Sequence, residues 1–264
     1  SRILLLFASF AVPFGLEAAD FFDDFERTDL GEIWKTHPNA FSIRDGSLVA
    51  QQQPGTDHGA VGETLIDFGD ATISFRFRLA GSPYFNLVID DKNYKESHAG
   101  HICRVQVFPN RILLGDDKTG SMRKDIFALK RGTPEEKKKA ETLLEGTRKS
   151  FPVEIGEDTW HTLSVSLVGS VMTVTLDGTE LGSLDSEGIA HLSKTDFGFT
   201  VPGGEVHFDE VRLRKPSTAE AGTWPIERLQ SEIPEYRIED ESAPIQSLLY
   251  AGEPVAGKPT EVFA

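Results

Sequence analysis

The sequence predicts an all-β sandwich of two antiparallel sheets with one helical insertion. Three observations carry that expectation. First, residues 157–182 read as an alternating hairpin. Leu163, Val165 and Leu167 share one face against Thr162, Ser164 and Ser166; after a turn at Gly169-Ser170, Met172, Val174 and Leu176 oppose Thr173 and Thr175. Asp177-Gly178 then closes the run, because glycine accepts a positive φ at little cost. Second, Ile73, Phe75, Phe77 and Leu79 alternate with Ser74, Arg76 and Arg78, the sharpest period-two pattern in the chain. Third, 264 residues at 39% hydrophobic suffice for one such sandwich with extensions. Cys103 is the single cysteine, so no intrachain disulfide helps, and it reads as a small buried hydrophobe.

Taken in order, the chain begins with Arg2, an apolar run over 3–16 and the small pair Ala18-Ala19. This reads as a signal peptide over 1–19 and predicts a secreted or periplasmic protein. The run is shorter than the ~20 apolar residues of a membrane span, so no span is expected. The sandwich is expected over 20–216. A strand at 41–44 turns at Asp45-Gly46 into a second strand ending at Ala50, and 51–59 is a polar loop. Strands follow at 63–69, 71–79 and 85–91, then a loop over 90–100 rich in Asp, Asn, Tyr and His. In 101–108, Cys103, Val105 and Val107 alternate with Arg104 and Gln106, and 111–114 is a short strand. Residues 118–152 read as the helical insertion, with Thr133 as N-cap, Pro134 at the first position, Glu135 and Glu136 in the first turn, and Gly146 as C-cap. The last two strands are 195–201 and 205–214. Parity flips at Asp209-Glu210, which predicts either a bulge or a strand buried on both faces. Beyond Pro216, residues 217–264 are poor in apolar side chains and read as an extended linker or wrapping arm.

The net charge of −15 argues against nucleic acid and anionic membranes as partners. Three groups of residues offer chemistry. Alternation puts Arg76, Arg78, Asn86, Arg104 and Gln106 on non-core faces, where planar donors and acceptors can pair with adjacent hydroxyls. The alternative is an ordinary solvated sheet face. Asp90, Asp91, Asn93 and Tyr94 with His98 and His101 form the densest titratable set, able to hold a divalent metal or share acid–base work. Their spacing fits no zinc pattern. Asp24, Glu26 and Asp209 form a third group of carboxylates, suited to a hard cation if the first and last strands lie together. Absences count too: no Glu-x-Asp-x-x-Glu strand, no Gly-x-Ser-x-Gly and no phosphate-cradling glycine loop occurs.

The run Trp160-His-x-Leu-x-Val, its hairpin and Leu176-Asp-Gly resemble the central hairpin of concanavalin A-like jelly rolls of the laminin-G and glucanase kind. That resemblance implies that sugars lie on the polar face of the concave sheet. Phe208 to Leu213 resembles the final strand of family-16-like glucanases, which implies a structural Ca²⁺ at Asp209. The stretch 20–215 is similar to the 3-keto-disaccharide hydrolase domain family. The similarity rests on Phe41-Ser-Ile-Arg-Asp-Gly-Ser-Leu, Ala71-Thr-Ile-Ser-Phe-Arg-Phe-Arg, His101-Ile-Cys-Arg-Val-Gln-Val, Thr159-Trp-His-Thr-Leu and Asp209-Glu-Val-Arg-Leu. Many members carry Asn-Ser-Gly and a strand ending in Arg; this chain keeps Asn86 but reads Leu87-Val88 next and ends in Asp90-Asp91. The Glu usual before Val-Gln is Arg104. The resemblance implies cleavage of 3-keto-glycosides, with His98, His101 or Asp90 as base and Arg76 or Arg104 polarising the ketone. Its alternatives are a non-catalytic glycan-binding module appended to a hydrolase, and a purely structural interaction domain. Residues 247–264 resemble the opening of an α/β-hydrolase-type esterase domain, which implies a downstream domain in the natural chain.

Overall fold

Period-two alternation governs the sandwich, and the computed structural model shows where each strand goes. It describes residues 20–216 and, further on, the backbone of three strands. The signal-peptide reading of 1–19 lies outside the described residues. The early strands are β1 (Phe21–Asp23), β2 (Trp34–Thr36), β3 (Phe41–Arg44) and β4 (Ser47–Gln51). Next come β5 (Ala60–Phe68), β6 (Ala71–Ala80), β7 (Phe85–Asp90), β8 (His101–Phe108) and β9 (Arg111–Asp116). Two short helices, α1 (Lys124–Leu129) and α2 (Pro134–Leu143), precede β10 (Arg148–Pro152). Then follow β11 (His161–Val168), β12 (Val171–Leu176), β13 (Thr179–Asp185), β14 (Lys194–Val201) and β15 (Glu205–Arg214).

The first sheet runs β13-β12-β11-β6-β15-β4-β3, with β1 also on β15; the second runs β10-β9-β8-β7-β14-β5-β2. All pairings are antiparallel. The inward residues form one phenylalanine-rich core: Phe75, Phe77, Phe85, Phe197, Phe199 and Phe208 are fully buried. Phe199 of the second sheet stacks on Phe208 of the first at 3.8 Å between centroids, tying the two layers together. Cys103 is buried in this core as expected, and burial pushes its thiol well above the ordinary value.

The parity flip in β15 is a bulge. Register shifts between Asp209 and Arg212, and Glu210 takes φ +48°. The bulge has a topological reason. Up to Phe208, β15 pairs with β4; from Val211 it pairs with β1. First and last strands therefore do lie side by side.

Residues 118–152 are less uniform than expected. Thr133 forms a capping box with Glu136 at the start of α2, as the sequence implies. Ile126, Ala140 and Leu144 seal the two helices into a small satellite core. The last five residues, however, form β10, the edge of the second sheet. Buried Asp116 anchors the opening of the insertion, accepting bonds from Thr119 N, Ser186 Oγ and Gly188 N.

Residues 216–264 form a separate unit. Its described backbone contains β16 (Tyr236–Ile238), β17 (Leu248–Val255) and β18 (Lys258–Phe263), an antiparallel sheet in that order.

Candidate functional site

The outer face of the second sheet carries a groove of about 540 Å³. Register arranges the outward residues of that face in three rows, most of which line the groove. The first is Val61, Thr200, Asn86 and Gln106 on β5, β14, β7 and β8. The second is Glu63, Gly198, Val88 and Arg104. The third is Leu65, Asp196, Asp90 and His101. The insertion supplies one wall through Met122, Phe127 and Arg131, and His37 and His58 stand on the β5 side.

His101 Nδ1 lies 2.6 Å from Asp90 Oδ1. A proton on Nδ1, shared with that carboxylate, leaves Nε2 with its lone pair. His98 stacks on Phe127 at 4.2 Å, and Arg131 covers the other side of that ring at 3.5 Å. Burial, with His101 close by, lowers the pKa of His98 and keeps it a neutral imidazole. Arg104 is oriented by buried Asp117, which accepts from its Nε, while its Nη2 is buried without a partner. Asn86 donates to Thr200 Oγ1, and its Oδ1 is likewise buried and unpartnered. An unsatisfied donor and an unsatisfied acceptor therefore lie beneath the groove, on two residues that line it.

The sequence-derived candidates therefore divide. Asp90, His98, His101, Arg104 and Asn86 all line the groove. Gln106 is the cross-strand partner of Asn86, outside the groove lining. Arg76 and Arg78 are not in the groove. They stand on the outer face of the first sheet, because β6 belongs there. Arg76 pairs with Asp209 at 3.1 Å, Arg78 with His207 at 3.1 Å, and both guanidiniums approach the Trp160 ring, at 4.9 and 5.6 Å. Asp91 is held by His191 at 2.8 Å, and its Oδ1 closes a local turn on Asn93 N.

Asp24, Glu26 and Asp209 are not gathered into one site. Asp24 caps the Glu26 amide of its own loop, and Asp209 is taken by Arg76. Among the described residues, the one trio of acidic groups that converges is Glu63, Asp90 and Asp196, with oxygens within 4.8 Å of one another. Burial, and then the charge of Asp90, pushes the pKa of Asp196 up to about 6. Lys92 Nζ sits on Glu63 Oε2. The sequence reading missed Glu63, Asp196 and Asp117. None lies close in sequence to a flagged residue, and no motif marks any of them.

Residues 19–214 match the family described as the 3-keto-alpha-glucoside-1,2-lyase-like domain. The chain belongs to that family. It is thereby placed among carbohydrate-active jelly-roll domains. No curated protein matches the sequence. Among solved structures, the chain is similar to the laminarinase from Rhodothermus marinus, with 10% identity, TM-score 0.53, and cover of 74% of this chain and 96% of that one. It is also similar to the endo-beta-1,3-glucanase from Pyrococcus furiosus, with 11% identity, TM-score 0.53, and cover of 74% and 93%. Porphyranase B from Zobellia galactanivorans gives 10% identity, TM-score 0.51, and cover of 74% and 91%. At such identities the likeness shows the jelly-roll fold alone.

Proposed function

We propose that this domain cleaves 3-keto-glycosides by elimination in the groove of the second sheet, acting after export. The observation that carries the reading is the Asp90–His101 pair opening into a groove beside Arg104. The family description, which names a 3-keto-glucoside and a 1,2-lyase, supports it.

A ketone at C3 acidifies the hydrogen on C2. His101 Nε2 takes that proton, and Asp90 stabilises the imidazolium that forms. The electron pair released from the C2–H bond becomes the C1–C2 double bond as the C1–O bond breaks. The departing alkoxide is protonated by water at the groove mouth. The Arg104 guanidinium, which lines the groove beside His101, is placed to hold the negative charge that develops on the C3 oxygen. Asn86 and its partner Thr200 line the groove and offer polar contacts to the bound sugar. Neutral His98 on Phe127 offers a flat apolar wall to a sugar ring.

The test is to incubate the purified chain with a 3-keto-glucoside, with and without EDTA. Release of the aglycone together with an enone chromophore is expected. No release, with a glycan still raising the melting temperature, replaces the lyase by a glycan-binding module on the same sheet.

A further inference from the structure

The structure assigns a divalent-cation site to Glu63, Asp90 and Asp196. These residues come from three adjacent strands, and the register holds them together. Asp196 on β14 is directly opposite Asp90 on β7, and Glu63 on β5 lies one row along, opposite Gly198. One oxygen from each carboxylate lies within 4.8 Å of the other two. Like charges directly across an antiparallel pair repel. The pairing therefore calls for something between them.

A second observation points to a ligand. Asp196 is 1% exposed, and its Oδ1 has no hydrogen-bond partner. Only Oδ2 is engaged, by Thr195 Oγ1 at 2.9 Å. A buried acceptor left open marks the place of an ion or an ordered water. Charge decides between them. Three carboxylates face one ammonium, that of Lys92 on Glu63, so the cluster keeps two negative charges that one divalent cation would cancel. The donors are all carboxylate oxygens, which suit Ca²⁺, Mg²⁺ or Mn²⁺. His101 occupies Asp90 Oδ1, which leaves Oδ2 for the ion. Glu63 and Asp90 both line the groove, so the ion sits at its floor, where sugar oxygens can complete the coordination. The site shares Asp90 with the lyase reading but does not rest on it, and it differs from the set expected around Asp209.

The full chain is stripped with EDTA and titrated with MnCl₂, following the paramagnetic resonance of free Mn²⁺. CaCl₂ and MgCl₂ are followed by melting temperature. One ion bound per chain, with a raised melting temperature, is expected. Glu63→Gln and Asp196→Asn each abolish binding, Lys92→Met strengthens it, and Asp24→Asn leaves it unchanged. Glu63 is half-buried, so its variant decides the outcome even where Asp196→Asn does not fold. Wild-type protein that binds none of the three ions at millimolar concentration overturns the site. So does binding that survives Glu63→Gln, or that is lost in Asp24→Asn alone.

Discussion

The two outer faces of the sandwich carry similar residues and use them in opposite ways. On the first sheet, Arg76, Arg78, Asp209, Glu210 and His207 pair with one another, with Arg78 Nε alone left unpartnered among them, and Trp160 lies against the two guanidiniums. Exposed pairs of this kind contribute about 0–1 kcal/mol each and leave little for a ligand to satisfy. On the second sheet, buried polar atoms of Asn86, Arg104 and Asp196 stay open. Charge on a strand and a few unpartnered buried polar atoms are common to both faces; the groove, lined by Asn86 and Arg104, belongs to the second.

Substitutions can break that contrast. The largest effect is expected from His101→Gln, which should lower turnover of a 3-keto-glucoside by about 10²–10⁴-fold with little change in melting temperature. An active variant would remove the base. Arg104→Lys keeps a charge beside Asp117 but loses the planar fork, and a loss of about 10²-fold in kcat is expected. Unchanged kcat with raised KM would make Arg104 a binding residue only.

Asp196→Asn tests burial instead of catalysis. The native carboxyl has its pKa raised from 3.8 to about 6, so it holds its proton more tightly than in the unfolded chain. That preference favours the native state below about pH 4 and is lost as pH rises through 6. In metal-free protein at pH 8, replacing the buried charge should therefore stabilise by up to about 3 kcal/mol, with the gain vanishing toward pH 4. Denaturant melts at the two pH values measure it. The smallest effect belongs to the other face. Arg76→Met should leave kcat/KM unchanged and shift stability by no more than about 1 kcal/mol. A loss of turnover there would place the reaction on the first sheet instead.

Much of the fold was legible because period two is a local signal. Ile73, Phe75 and Phe77 declare their inward face, Thr133-Pro134 declares a helix start, and the flip at Asp209-Glu210 marks a break in alternation, one of whose two explanations, the bulge, the structure selects. Alternation says only which side of a strand is polar. It does not say which sheet the strand joins, so Arg76 and Arg104 looked alike in sequence. The acidic trio was hidden for a related reason. Its members lie on β5, β7 and β14, far apart in the chain, and only strand order makes them neighbours. Asp117 was hidden because a single Asp at the head of an insertion carries no pattern until Arg104 is seen to reach it.

The wall formed by Met122, Phe127 and Arg131 hangs between β9 and an edge strand, fastened at its root by Asp116. Its helices have their own miniature core. Such a part can be lengthened, shortened or exchanged without disturbing the layers behind it. Changes in what the groove admits would then proceed by remodelling this one appendage while Asp90 and His101 stay where they are.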